Sequence, residues 1–360
     1  MSKQLGFWNI EDRLAEISAT GDPLETLNAT VDFERFRSIL ETAAGRRRGP
    51  KGGRPSLDVV LKFRMLVLQS LHGLSLEATE RMVRDRLSWM RFCGLGIADT
   101  VPDANTLWDF REALIKAEAL DVLFDELDRA INQAGFIPRA GQIIDASLIA
   151  APRQRNSDSE KAAIKAGQTA SEIWPDEPAK AAQKDTNARW TVKYSKAKTR
   201  ADGSTPIDLA IPTFGYKSHI SIDRQNGIIR RQIITDAARH DGARLREGLV
   251  QTANTGRRVW ADTAYRSAEN EAWLAANGMV SEIHRKKPRG HPMSKRTSKA
   301  NGRKSVVRSK VEHVFGQQKG RMGLVIRTIG LARAKAAITI ANMVYNMGRL
   351  RWLLSRGVPA

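Results

Sequence analysis

Apolar positions fall into two regimes along this 360-residue chain. Through roughly the first third they recur every three or four residues, the period of a helix with one buried face. Residues 8–44 read as helical with a Gly-Asp-Pro break at 21–23. Residues 58–71 (DVVLKFRMLVLQSL) and 77–92 (EATERMVRDRLSWMRF) each carry an apolar stripe, and His-Gly-Leu-Ser separates them. Two more helices are expected over 103–116, capped by Asp103 or Asn105, and over 118–134. At Gly141 the pattern changes. GQIIDASLIAA, rich in Ile, Leu and Ala, reads as a buried strand, and Pro152 ends it. YKSHISID and GIIRRQIITDA flank Asn226-Gly227, a strong hairpin signal. A strand over 257–265, a helix over 267–278, a strand over 279–284, a basic loop over 286–304, a helix around Glu312 and a long helix over 331–354 complete the chain. Residues 153–206 are polar and lack clear periodicity, as an insertion or mobile loop would.

The order strand, hairpin, strand, helix, strand, helix after a helical start predicts an α/β core, a mixed sheet flanked by helices, preceded by an all-α region. The expected division is an acidic helical N-terminus with a basic arm (1–56), a helical domain (57–138) and an α/β domain (139–355).

Charge narrows the partners. The formal net charge is +20 and the pI about 10.4, which calls for a polyanion. Residues 1–45 hold eight acids against four bases, so the basic excess belongs wholly to the rest. A membrane surface is the rival polyanion, but no run of eighteen apolar residues occurs. The N-terminus lacks the apolar core of a signal peptide, and the lone Cys93 rules out a disulfide framework, so a reducing cytoplasm is expected. Nucleic acid fits best. The Gly/Pro-rich arm GRRRGPKGGRPS (45–56), with Arg54, reads either as a minor-groove arm or as a solvated linker. The helical pair 58–71 and 77–92 permits a helix-turn-helix whose second helix presents Arg81, Arg84, Arg86 and Arg91, although helical pairs are common without DNA. Lys217, His219 and Ser221 share one strand face, either a DNA-approaching or a solvated face. Trp190, beside Arg189 and Lys193, is the exposed candidate for base stacking.

Three acids stand out by context. Glu312 is the only acidic residue between Arg285 and Ala360, a stretch with nineteen Lys and Arg. Arg308 lies one helical turn before it and Lys319 two turns beyond, on one face. Asp145 follows Gln-Ile-Ile within a strand, and Asp262 follows Val-Trp-Ala at the end of another. A carboxylate among Ile, Val and Trp is costly unless paired or bound to a cation. Singly, each also reads as a turn former, an N-cap or the partner of an Arg. Together they form an Asp, Asp, Glu set of hard oxygen ligands suited to Mg²⁺ or Mn²⁺. Two such ions about 4 Å apart would serve an in-line phosphodiester displacement, with Arg308 and Lys319 beside the phosphates.

These residues resemble bacterial insertion-sequence DDE transposases of the insertion-sequence-five type. That family carries Tyr, two residues, Arg, three residues, Glu, six residues, Lys; Arg308, Glu312 and Lys319 match, and Ser305 stands where Tyr is expected. Matching stretches include GRPSLDVVLKFRMLVLQSLHGLS, LSWMRFCGL, VPDANTLWDFREAL, IIDASLIAAP, GYKSHISID, WADTAYRS and NMVYNMGRLRWLL, and KDTNARW resembles a family segment with Asp expected at Asn187. The resemblance implies an RNase H-like core with Asp145 on the first strand, Asp262 on the fourth and Glu312 on the last core helix. It further implies binding of terminal inverted repeats and target DNA, a homodimer, and cleavage followed by strand transfer. A repressor that only binds DNA and a nuclease on the same fold are the alternatives.

Overall fold

The computed structural model describes residues 8–45, 57–194, 209–252, 254 and 256–357. Arg54 and nearly all of the basic arm lie outside the described residues. Two compact units emerge: Met1–Ile137 with Gly320–Gly323 and Thr339–Ala360, and Pro138–Lys319 with Leu324–Ile338. The end of the last helix thus belongs to the first unit, whereas the sequence pattern assigns everything after 139 to one domain.

The first unit is all helical: α1 (Trp8–Ala19), α2 (Pro23–Thr30), α3 (Arg37–Ala44), α4 (Val59–His72), α5 (Leu76–Asp85), α6 (Leu87–Cys93), α7 (Ala104–Lys116) and α8 (Ala119–Gln133). Helix α4 is buried nearly all round, with Phe63, Met65, Leu66, Val67 and Leu68 fully enclosed, as an apolar helix at a core should be. Asp58 starts it by accepting from the backbone of Val60 and Leu61, at 2.8 and 2.9 Å. Gly73 ends it at φ +63°, where a Cβ would lie 2.6 Å from the Met322 carbonyl, so glycine is required on two counts. The chain then turns by 106° into α5, within the range of a helix-turn-helix.

The helix expected over 77–92 is broken. Arg86 is extended (φ −115°, ψ 117°), and α6 starts anew behind it. The break takes Arg91 away from the α5 surface: its guanidinium donates to Asp22 (2.8 Å) and Ser18 (2.8 Å), tying α6 to the first two helices. Arg91 is therefore a structural tie. Arg81 and Arg84 remain exposed on α5, and Arg84 pairs with Glu80 one turn back. Among the described residues no single helix is long and apolar enough to cross a membrane.

The second unit is built on one six-stranded mixed sheet. Its strands are β1 (Gln142–Ala150), β2 (Arg189–Tyr194), β3 (Ala210–Asp223), β4 (Ile229–Asp236), β5 (Arg258–Trp260) and β6 (Val280–Ser281). The long β3 pairs antiparallel with β1 and β4 and, through its first residues, with β2. On the other edge of β1, β5 and β6 follow in parallel. Antiparallel strands β1, β3 and β4, with β2 on the outer part of β3, continued by parallel β5 and β6 and flanked by helices, form an RNase H-like core. The residues between 153 and 194 are not featureless. Ser157-x-x-Glu160 and Thr169-x-x-Glu172 make capping boxes that start α9 (Asp158–Lys165) and α10 (Ala170–Ile173). A further short helix, α11 (Pro178–Gln183), leads into β2. Because β2 precedes the hairpin, Asp262 follows the fifth strand in chain order rather than ending the fourth.

Alternation along β1 separates two layers. Ile144 faces a core formed with Leu245, Leu249, Val259, Leu274 and Ile283 beside α12 (Asp241–Arg244) and α13 (Ala268–Ala276). Ile149, on the opposite parity, joins Tyr216, Phe214, Ile326, Ala334 and Ile338. The latter two begin the last helix, α15 (Leu331–Ser355). The expected basic loop over 286–304 is half helix: α14 runs from Lys295 to Lys319, with Ser294 accepting from Thr297 N at its start. Its first turns carry almost no apolar residues, so periodicity could not reveal them.

The hairpin that holds β3 in register ends on a buried ion pair. Asp223 and Arg230 are at most 1% exposed and meet at 3.1 Å, and Asp223 also accepts from the backbone of Asn226 and Ile228. Removing the carboxylate takes away this pair together with the acceptor shared by two backbone N–H groups of the turn. Asp223→Ala should therefore lower the unfolding free energy by about 3–5 kcal/mol, measured as a fall in denaturant midpoint at unchanged slope.

Candidate active site

Asp145 occupies the middle of β1 opposite Ile220 of β3. Its odd parity turns it away from the Ile144 core and toward α14. There Arg308 Nη1 donates to Asp145 Oδ2 at 2.6 Å, while Nη2 donates to Glu312 Oε1 at 2.9 Å. One guanidinium thus joins carboxylates from a strand and a helix that lie 167 positions apart in the chain. The other Asp145 oxygen accepts from Ala146 N at 2.8 Å. Burial pushes the Asp145 carboxyl up to about 6; Arg308 opposes that shift, and the charges of Asp262 and Asp241 add to it.

Asp262 stands just past β5 as the N-cap of a 3₁₀ turn, Thr263–Tyr265, accepting from Ala264 N at 2.8 Å. Asp241 opens α12. The two turns are stapled together by buried Asn270, whose amide donates to Gly242 O (2.8 Å) and Tyr265 O (2.7 Å). Gly242 permits the approach, since a Cβ there would lie 2.5 Å from Ala264 O. Four carboxylates therefore border one region, and Arg308 is the cation set directly between two of them.

Two neighbours escape sequence reasoning. Tyr265 is fully buried, and among the described residues its hydroxyl has no hydrogen-bond partner. Burial, and then the charges of Asp145, Asp241 and Asp262, raise its pKa. Its position three residues after Asp262 on a tight turn is the signal that could have marked it. His284 lies at the end of the β6 edge, where its N–H donates to Ala261 O at 3.1 Å. Burial and the nearby Arg308 lower its pKa, against the pull of Asp262. Ser305, in place of the expected Tyr, lies 3.5 Å from the His284 ring.

The other sequence candidates divide. Lys319 ends α14, roughly 10 Å along the axis from Glu312. Although it reaches solvent, protein crowding its ammonium and the like charge of Lys193 both lower its pKa. Lys217 is not on a solvated face: it donates to Asp241 (2.8 Å) and Arg239 O (2.7 Å), and neighbouring His219 and Ser221 are buried. Burial carries the His219 pKa down to about 4. Trp190 is 46% exposed on β2 and packs on Phe214. Asn187, where Asp was expected, caps α15 by accepting from Leu331 N, while Asp185 takes the buried Tyr216 hydroxyl at 2.6 Å.

The donor set fits a divalent metal. Asp145, Asp262 and Glu312 offer hard oxygens, and the most deeply buried of them already requires a cation, here Arg308. Among the described residues no three such side chains converge as a ready-made cluster, and the Arg308 guanidinium stands between Asp145 and Glu312.

Comparison with known families identifies the class of protein. A family model described as Transposase DDE domain matches residues 138–347, and another described as Transposase domain (DUF772) matches residues 11–113. The chain belongs to the DDE transposase family and is a DNA transposase with an RNase H-like catalytic core. Membership implies dependence on a divalent metal and DNA as partner. Among solved structures, the chain is similar to a piggyBac transposase synaptic complex with hairpin DNA determined by cryo-EM. The identity is 10% and the TM-score 0.43, with 93% of this chain and 76% of that chain covered. A likeness at that level bears on neither site nor partner.

The Arg308 bridge has a measurable consequence. Arg308→Gln should move the Asp145 carboxyl titration upward from about 6, because the opposing positive charge is removed while burial remains. A carboxyl ¹³C titration reads this directly, and an unmoved or lowered midpoint would show that Arg308 does not govern Asp145.

Proposed function

We propose that Asp145, Asp262 and Glu312 are the catalytic acids of an insertion-sequence transposase of the insertion-sequence-five type, acting on terminal inverted repeats and on target DNA. The observation that carries this is the Arg308 bridge: one cation gathers Asp145 and Glu312 from separate elements, and Asp262 ends the strand beside β1. These three acids would hold one or two Mg²⁺ or Mn²⁺ ions. When bound, such ions supply a deprotonated oxygen nucleophile and stabilise the leaving oxygen.

The chain's own residues account for the rest. Arg308, once released from the carboxylates, presents a planar fork suited to a phosphate's paired oxygens. Lys319 adds a second positive charge further along the same helix, where the DNA backbone would continue. Arg81, Arg84 and Arg54 are assigned to end recognition by the helical region, on the support of the turn geometry of α4 and α5. Lys217 is less suited to direct contact, because its charge is spent on Asp241; it acts by holding Asp241 in place.

In the first reaction water attacks the phosphodiester at an element end, breaking one P–O bond and freeing a 3′-hydroxyl. In the second that hydroxyl attacks a target phosphodiester, and one P–O bond forms as another breaks, so no nucleotide hydrolysis is needed. Bringing two ends together calls for two copies of the chain. A repressor lacking catalysis is disfavoured because none of the three acids is lost.

The test is Mg²⁺- or Mn²⁺-dependent cleavage and strand transfer on DNA carrying the element's flanks, wild type beside Glu312→Gln. Both activities should fall to background in the variant with DNA binding retained. Equal activity in both would sink the assignment of Glu312, and cleavage without a joined product would favour a nuclease.

A further inference from the structure

A second basic feature lies apart from the acids on the same face of the sheet. A cavity of about 310 Å³ opens between the first half of α14 and the ends of β3, β5 and β6. Arg224, Arg258, Arg303 and Lys304 line it together with Glu282 and Trp260. Four cations thus surround one carboxylate, which pairs with Lys304 at 3.2 Å and stands 3.9 Å from Arg258. The lining keeps an excess positive charge that no acid in the cavity balances. Like charges gathered in a concavity focus a positive potential that attracts an anion.

We propose that this cavity binds a phosphodiester of the DNA strand at a short distance from the catalytic acids, which deepens and rests on the strand-transfer reading above. Three observations define the ligand. The volume is at the low end of small-ligand sites, roughly 300–1,000 Å³, so it admits a nucleotide-sized segment and not a duplex. The indole of Trp260 is 4% exposed and covered by Arg224, whose guanidinium lies 4.9 Å from the ring, so no face is open for base stacking. Charge, not aromatic surface, is what the cavity presents, and the phosphate is the group it recognises.

The register along α14 fits a continuous strand. Arg303 and Lys304 precede Arg308 by five and four residues, roughly 6–8 Å along the helix axis. A strand held at Arg308 and Glu312 would pass its flanking phosphates over the cavity within a few nucleotides. Arg258 and Arg303 are exposed and stand clear of the Arg308 bridge, so their charges can be removed without touching the acids.

The experiment compares wild type, the double variant Arg258→Gln/Arg303→Gln, and Lys161→Gln as a control for loss of one surface charge elsewhere. Circular dichroism melts establish that each is folded. Binding to a fluorescein-labelled duplex with a single-stranded overhang is measured across a salt series. The double variant should bind more weakly, with a log K against log salt slope shallower by roughly 0.7–0.9 for each phosphate that is no longer neutralised, while the control keeps the wild-type slope. An unchanged slope in the double variant overturns the proposal. A second arm measures a free deoxynucleoside monophosphate by calorimetry. If the monophosphate binds wild type and fails to bind the double variant while the DNA slope is unchanged, the cavity is a small-nucleotide site and the DNA assignment falls. Cleavage assays run in parallel keep the two readings apart. A shallower slope beside equal activity of wild type and Glu312→Gln would uphold the phosphate site while the catalytic reading fails.

Discussion

The structure turns on one carboxylate that the fold draws largely out of water. Asp145 sits in the central strand of a sheet, where β propensity and desolvation both disfavour it. Burial drives its carboxyl toward protonation, and Arg308, helped by the Ala146 N–H, opposes that shift. The same guanidinium reaches Glu312 on its own helix. One cation therefore fixes the distance between strand and helix and, with it, the spacing of two candidate ligands. Such a pair contributes little to net stability, since desolvation offsets the attraction. Its value lies in position: the scaffold holds acids together that would repel if left alone.

The surrounding elements act to keep those acids from drifting. Asn270 spends its amide hydrogens on two carbonyls and binds the Asp241 turn to the Asp262 turn. Gly242 lets those turns approach more closely than any side chain would allow. Lys217 holds Asp241, and the buried Asp223–Arg230 pair closes the hairpin whose longer strand borders β1. Each contact lies at the end of a strand or on a tight turn, where the backbone has least regular bonding of its own. The order of the site thus depends on side chains that do no chemistry.

Charge is organised on a larger scale as well. The net charge of +20 is not a diffuse coat. Part of it is consumed internally, as at Arg91, Arg230 and Lys217. Part is concentrated on α14, where Arg303, Lys304, Arg308 and Lys319 sit within five turns. The cavity beneath the first half of that helix extends the same surface beyond the acids. A protein that must hold a polyanion while placing carboxylates against it needs such compensation close at hand.

By itself the sequence determined much of this. Helical periodicity before residue 135, the Ile- and Leu-rich stretch around Asp145 and Asn226-Gly227 between two strands are local signals, carried by residues close together in the chain. Arg308 and Glu312 were legible because helix geometry alone puts residues four apart on one face. Other features needed tertiary structure. The polar first turns of α14 have no apolar period to betray them, and the capping boxes at Ser157 and Thr169 are too short to read against a polar background. Arg91 looked like a DNA contact until the break at Arg86 turned it toward Asp22. Tyr265 and His284 gain meaning from acids that the fold brings beside them, Asp145 and Asp241 for the first and Asp262 for the second. Whether a charged side chain meets DNA, a metal or another side chain depends on which elements pack beside it, and that was decided only when β1, β5 and α14 came together.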